Sequence, residues 1–288
     1  MLSPRPSTAT MAAFGCHGLP VALPGGQQAA YRVGCHVFKP ADLPPAALSW
    51  QAEVVPRLPG DRIRLTAPVA AADGRLVVDG WTAWGHLDGD HQPGRWPEVI
   101  AAGTILAELL AGQPRPAFLD ARADRWAVAD RVAWGEADLP AALAGPTVVR
   151  LLRARQPVDA PSGLVHADLT GNVLFHETQP PAVLDLSMYW RPAAYGSAVV
   201  VVDAVTFRSA PDRLVRELRR QPDGDQLLLR ALIFRIVTDL LAGRGDRDVA
   251  GRYHRVLGLL PLAMPSRSTC RAGDSARGGY RLGHGTGG

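Results

Sequence analysis

The sequence contains little cysteine, no long apolar run and almost no lysine. Its three cysteines, Cys16, Cys35 and Cys270, are far apart and odd in number, which argues against a disulfide framework and against a zinc site. The longest apolar stretches, such as 198–202 and 231–236, are far shorter than the roughly 20 residues that a membrane-spanning helix needs. We therefore expect no membrane segment.

The first ten residues lack the apolar core of a secretory signal, so a cytoplasmic location is expected. The formal net charge is +4, but the stretch 265–288 carries most of the excess positive charge and the preceding body is close to neutral. The charge therefore indicates no nucleic-acid partner.

Lys39 is the single lysine in a chain that otherwise uses arginine for its positive charges. It ends an apolar segment, 35–39, that is predicted to be a strand. An ammonium group is a compact point charge, whereas a guanidinium is a planar fork, so a site that is shaped for one does not readily accept the other. A lone lysine at this place suggests a function, although a strand end near the surface is also an ordinary position for lysine.

Two patterns divide the chain. Short strands separated by glycine-containing turns are predicted at 20–23, 30–33, 36–39, 63–67 and 76–84. A helix is predicted over 44–58, with Asp42 as its cap and a proline in its first turn. After Gly89 the apolar residues follow helical spacing, which predicts helices at 97–110, 124–134, 139–155 with a break near Pro146, 211–220, 226–241 and 246–259.

These patterns predict an α+β fold with four segments. Residues 1–15 form an N-terminal extension, and 16–89 form a small sheet lobe with one helix. Residues 90–264 form a larger, mainly helical lobe that also contains short strands at 163–166, 173–176 and 182–186. The Gly-, Ser- and Arg-rich segment 265–288 has almost nothing to bury and is expected to be disordered.

The most informative segment is Leu-Val-His-Ala-Asp-Leu-Thr-Gly-Asn-Val-Leu-Phe at 164–175, followed by Ala-Val-Leu-Asp-Leu at 182–186. Phosphoryl transfer requires an oriented hydroxyl nucleophile and cations between the phosphates. Asp168 could accept a hydrogen bond from such a hydroxyl. Asn172 and Asp185 offer the oxygen ligands that Mg²⁺ prefers. A turn near 177–181 is expected to bring these two side chains together.

This arrangement resembles the catalytic and metal loops of the protein-kinase-like superfamily, and among its members it is most similar to aminoglycoside phosphotransferases and choline kinases. Asn172 follows Asp168 by four residues, where that family usually has five. Ala167 and the absence of a Phe-Gly continuation after Asp185 argue against a regulated protein kinase. His166 is expected to hold the turn, and Trp190-Arg191-Pro192 and Asp203 to support the site.

The resemblance also implies nucleotide-binding residues upstream. Gly25 and Gly26 would approach the phosphates, Lys39 would bind them and Glu53 would pair with Lys39. The hinge at 84–89, including His86, would bind the adenine edge through main-chain groups. The indole rings of Trp81 and Trp84 could line that pocket, although aromatic residues in a strand more often lie in a core.

The implied fold is therefore a two-lobed, protein-kinase-like α+β structure. The implied activity is Mg²⁺-dependent transfer of the γ-phosphate of ATP or GTP to a hydroxyl of a small molecule. Two alternatives remain open. The short Asp168-to-Asn172 spacing and sparse glycine loop favour an inactive, nucleotide-binding pseudokinase, whereas His166, Asp168 and Asp185 could instead be ligands of a metal-dependent hydrolase.

Overall fold

The computed structural model describes residues 5–23 and 30–261. A five-stranded antiparallel sheet with strand order β1-β2-β3-β5-β4 occupies the first part of the chain. Its strands are β1 (Val21–Leu23), β2 (Ala30–Val33), β3 (His36–Pro40), β4 (Pro68–Val69) and β5 (Trp81–Gly85). Helix α1 (Thr8–Ala13) precedes the sheet, and α2 (Pro45–Val54) follows β3 and continues into a 3₁₀ turn (Val55–Arg57).

The β2–β3 hairpin sets the register of this sheet. Val33 pairs with His36 across a two-residue turn in which Gly34 has a φ of +59°, a conformation that glycine adopts without a Cβ clash. Phe38 is fully buried in the core of this lobe, and Tyr31 and Trp81 pack there edge to face. The core interpretation of Trp81 is thus correct.

Three details of the small lobe differ from the sequence predictions. Residues 63–67 are not a strand of the sheet. Arg64 forms an isolated bridge with Ala182, and Ile63 is buried outside the core of the sheet. The predicted strand over 76–84 begins only at Trp81, since residues 79 and 80 both turn with positive φ. Helix α2 begins after Pro44 without a side-chain cap, so Asp42 does not cap it.

The remainder is mainly helical. Its helices are α3 (Trp96–Leu109), α4 (Phe118–Ala121), α5 (Arg125–Trp134), α6 (Pro146–Arg153), α7 (Ala194–Phe207), α8 (Arg213–Arg219), α9 (Gly224–Leu241), α10 (Asp246–Arg252) and α11 (His254–Leu259). Two antiparallel pairs lie among them: β6 (Ser162–His166) with β9 (Met188–Pro192), and β7 (Val173–Leu174) with β8 (Ala182–Val183). The small antiparallel sheet and the larger helical part confirm the α+β class.

Helix α7 is central to the helical part, and the sequence analysis did not predict it. Eleven of its residues are buried, so no solvent-facing side marks a helical period. Gly196, in its first turn, allows close approach to the end of β6, because a Cβ at this position would lie 2.9 Å from the carbonyl oxygen of His166. The helix therefore packs directly against the backbone of the predicted catalytic segment.

Arg64 connects the small lobe to the β7–β8 hairpin. Its backbone amide donates to the Pro181 carbonyl, and its carbonyl accepts from Val183. Its guanidinium donates from Nε to the Pro180 carbonyl at 2.8 Å and from Nη2 to the Asp88 carbonyl at 2.7 Å. None of the helices in residues 5–23 and 30–261 is long and apolar enough to cross a bilayer.

Candidate active site

His166 holds the loop that follows β6. Its Nδ1 accepts from the Asp168 amide at 3.0 Å, so the ring proton lies on Nε2, which faces the Leu184 carbonyl at 3.2 Å. Burial lowers the pKa of His166, although the charges of Asp168 and Asp185 act in the opposite direction. Since both nitrogens are bonded to backbone, His166 is structural, and the metal-hydrolase alternative loses its only histidine ligand.

Asp168 lies near the start of this loop with about half of its side chain exposed (48%). Its Oδ1 accepts a hydrogen bond of 2.8 Å from Nη2 of Arg235, which belongs to α9. Arg235 also bonds Asp203 of α7, where Nε and Oδ1 are 2.8 Å apart. The expected supporting role of Asp203 thus passes through an arginine. No local sequence pattern indicates Arg235, which follows Asp168 by 67 residues.

Asn172 and Asp185 come together through the β7–β8 hairpin. Val173 pairs with Val183, and the Leu184 amide donates to the Asn172 carbonyl at 2.9 Å, so both residues lie at the open end of the hairpin. The Asn172 Nδ2 donates to the Asp168 carbonyl at 2.6 Å, which directs its oxygen away from that bond. Asp185 is exposed and has a φ of +48°, a left-handed conformation that aspartate tolerates better than most residues.

Lys39 links the sheet to this hairpin. Its ammonium contacts Oδ1 of Asp185 and lies 5.8 Å from the ring centroid of Trp84. Asp42 belongs to the same charge cluster, since burial and then the charge of Asp185 raise its pKa, while Lys39 lowers it to a smaller extent. The sequence analysis placed Asp42 at a helix cap and missed this proximity.

The expected pair between Glu53 and Lys39 is absent. Helix α2 turns Ala47, Leu48, Gln51 and Val54 towards the protein interior, so Glu53 lies on the outer face and bonds Arg57 at 3.2 Å. The buried polar residue of this helix is Gln51, whose Nε2 is 3.5 Å from the Leu186 carbonyl. Its Oε1 has no hydrogen-bond partner among the described residues.

The remaining nucleotide-binding predictions have different outcomes. Gly25 and Gly26 lie outside the described residues. The amide of His86 donates to the Cys35 carbonyl at 2.8 Å, so this amide is not free for an adenine and only the carbonyl oxygen remains for the predicted contact. Burial, followed by the charge of Arg32, lowers the pKa of His86, although Asp88 at 3.3 Å raises it.

Arg191 anchors β9 beneath the site. Its guanidinium bonds Asp130 of α5 with Nη2 and Oδ2 2.6 Å apart, and it also bonds Glu136 through both Nη atoms. Burial raises the pKa of Asp130 in spite of this arginine. The expected structural role of the segment 190–192 agrees with this buried network.

The small antiparallel sheet, followed by a helical part with short paired strands, is the two-lobed protein-kinase-like fold. Among solved structures, the chain is similar to an apo thermostable mutant of the aminoglycoside phosphotransferase APH(4)-Ia, with a TM-score of 0.56 and 15% identity, over 86% of this chain and 96% of that one.

Two further similarities support the same fold. A choline/ethanolamine kinase family protein from Mesorhizobium loti has a TM-score of 0.55 and 17% identity, over 88% of this chain and 92% of that one. An ethanolamine kinase from Plasmodium vivax has a TM-score of 0.52 and 12% identity, over 85% and 82% of the two chains. No protein-family model matches the chain, and no curated protein matches it in sequence.

Proposed function

We propose that the chain is a phosphotransferase that moves the γ-phosphate of ATP or GTP to a hydroxyl of a small molecule. The observation that carries this proposal is the convergence of Lys39, Asp168, Asn172 and Asp185 where the sheet meets the helical part. One cation, one half-exposed carboxylate and two oxygen ligands are the groups that phosphoryl transfer requires.

The oxygen donors fit Mg²⁺. Asp185 offers an exposed carboxylate, and Asn172 offers an amide oxygen because its Nδ2 is occupied by the Asp168 carbonyl. Hard oxygen donors of this kind, together with phosphate oxygens and water, are the usual environment of protein-bound Mg²⁺. When bound, the ion would neutralise charge on the phosphates.

Lys39 and Asp168 would act on opposite ends of the transfer. Lys39 would leave Asp185 and bind phosphate oxygens as a mobile point charge. Asp168 has one oxygen bonded to Arg235, which leaves Oδ2 to accept the hydrogen bond of the incoming hydroxyl. In a loose transition state this orientation matters more than strong basicity, because little proton transfer is needed before the phosphoryl group moves.

Structures of similar fold agree with this class of ligand. The aminoglycoside phosphotransferase has been crystallised with ADP and hygromycin B, and also with AMP-PNP and hygromycin B. We extend the nucleotide and the small-molecule acceptor to this chain as a proposal. We also propose that residues 16–89 form the nucleotide-binding lobe and 90–264 the lobe that carries Asp168, in a cytoplasmic protein.

A nucleotide-binding protein without turnover is the second candidate. The loop between Asp168 and Asn172 is one residue shorter than in the family that it resembles, and Lys39 occupies an oxygen of the proposed metal ligand. Both features would slow the reaction while permitting nucleotide binding.

Calorimetry with ATP and with GTP, each with and without Mg²⁺, tests the proposal on the wild type and on Asp185→Asn. We expect Mg²⁺-dependent binding that the substitution weakens strongly. Nucleotide turnover is then compared with Asp168→Ala, which should lower it on the order of a hundredfold or more. Binding without any turnover in the wild type would favour the second candidate, and absence of binding would refute both.

A further inference from the structure

We propose that Arg235 is a positioning residue that holds Asp168 in the orientation required to receive a hydroxyl, with Asp203 as its anchor. This inference rests on the proposed function and adds a residue that lies outside the resemblance to known motifs. It is carried by a chain of three side chains from α7, α9 and the loop after β6.

The inner half of this chain is buried. The side chains of Arg235 and Asp203 are 11% and 5% exposed, and two hydrogen bonds join them in a forked arrangement. Burial alone lowers the pKa of Arg235, but Asp203 and Asp168 raise it overall, so the guanidinium stays charged. Each helix thereby satisfies the buried charge of the other.

The outer half of the chain is different. Asp168 is half exposed, so water can solvate its carboxylate whether or not Arg235 bonds it. Packing of the helices therefore does not require the bond from Nη2 of Arg235 to Oδ1 of Asp168. What this bond does is fix the rotation of the carboxylate and leave a single oxygen, Oδ2, for another donor.

The surrounding backbone fixes the position of Asp168 relative to α7. Gly196 lets α7 approach the His166 carbonyl, and the Asp168 amide is bonded to the His166 ring. Helix α7 therefore positions both the main chain of Asp168 and Asp203, which anchors Arg235. A displacement of about 1 Å in a reacting group can lower the rate on the order of a hundredfold. Fixing the position of the Asp168 carboxylate should therefore have a large effect on turnover.

Lysine at this position keeps the positive charge and removes the fork that orients Asp168. In Arg235→Lys the positive charge beside Asp203 is retained, but an ammonium cannot reproduce the planar fork that bonds both carboxylates. We expect a lower melting temperature, because the forked bond to the buried Asp203 is lost, and an Mg²⁺-nucleotide affinity close to that of the wild type. We expect the rate of nucleotide hydrolysis, measured as release of inorganic phosphate, to fall about tenfold to a hundredfold.

Arg230 supplies the matched control, because it is a buried arginine of the same helix with no contact to the site. Its Nη2 donates to the Gln156 carbonyl at 2.6 Å and its Nη1 to Gln226 Oε1 at 2.8 Å. Arg230→Lys should leave turnover per folded molecule unchanged. In an Asp168→Asn background, Arg235→Lys should cause no further loss of turnover, since the group that it positions has been removed.

Each outcome decides the inference. Wild-type turnover in Arg235→Lys refutes the positioning role and leaves the proposed function intact. The same holds if both lysine variants lose turnover in proportion to their melting temperatures, or if the two losses add in the Asp168→Asn background. A wild type that turns over no nucleotide refutes the positioning role together with the proposed catalysis, whereas its nucleotide binding is judged separately by calorimetry.

Discussion

The ammonium of Lys39 contacts the carboxylate of Asp185, so the single lysine of the chain joins the sheet to the hairpin that carries the proposed metal ligand. The pair is partly exposed, with side-chain exposures of 29% and 56%. In this state the two charged groups that should bind phosphate and metal neutralise each other. A Mg²⁺-nucleotide complex would have to separate them.

This contact predicts opposite effects of Lys39→Met on two affinities. Affinity for Mg²⁺ alone should rise a few-fold, about 1 kcal/mol, because Asp185 loses its competing partner. Affinity for the Mg²⁺-nucleotide complex should fall, because the phosphates lose a cation. Calorimetry with each ligand measures both, with Arg57→Met as the control for an exposed charge, which lies in the 3₁₀ turn after α2. Two changes of the same sign would contradict the competition.

Glu53 should be dispensable. Because its pair with Arg57 is solvent-exposed, Glu53→Gln should change the free energy of unfolding by less than about 0.5 kcal/mol and leave nucleotide affinity unchanged. Denaturant titration and calorimetry measure the two quantities. Loss of nucleotide binding would show that Glu53 reaches Lys39 in the bound state, as the resemblance implied.

His166 predicts a pH-dependent contribution to stability. Its pKa is lowered in the folded protein, so below an unfolded pKa of about 6.5 the unfolded chain binds more protons and stability falls as the pH decreases. His166→Ala should lower the free energy of unfolding by about 2 kcal/mol or more at pH 7.5, because the Asp168 amide and the Leu184 carbonyl lose their partner.

The difference between the wild type and His166→Ala should shrink from pH 7.5 to pH 5.5, which denaturant titrations at both values would measure. His91 is exposed, so His91→Ala serves as the control and should show neither effect. A difference that grows on acidification would mean that His166 is protonated in the fold.

Arg191 predicts the largest loss of stability. Arg191→Met leaves Asp130 buried without its cation. Breaking a buried ion pair in this way lowers the free energy of unfolding by about 3–5 kcal/mol. Thermal or denaturant unfolding would measure the loss. Replacing Asp130 by asparagine in the same chain should recover part of it, and an additive further loss would contradict the pairing.

The site predictions that succeeded in placing residues together depended on local spacing. Asp168, Asn172 and Asp185 lie within 18 residues of sequence on one loop and one hairpin, where turn chemistry limits the geometry. Lys39 is singled out for a different reason. It is the only lysine in the sequence, and it ends an apolar segment that is predicted to be a strand. Their catalytic roles stay predictions.

Other features depend on tertiary packing that no local pattern displays. The run Val199–Val202 favours a strand by propensity, yet it lies in α7, where burial on every side stabilises the helix. The choice between Glu53 and Gln51 depends on which face of α2 packs inwards. Arg235 reaches Asp168 only because α7 and α9 pack against each other.

The four hydrogen bonds of Arg64 have a consequence for motion. They fasten the small lobe to the β7–β8 hairpin and to the Asp88 carbonyl, while Asn172 fastens the same hairpin to the loop of Asp168. Because the hairpin is tied on both sides, a displacement of the small lobe at Arg64 is transmitted through the hairpin to the loop of Asp168 unless one of these hydrogen bonds breaks.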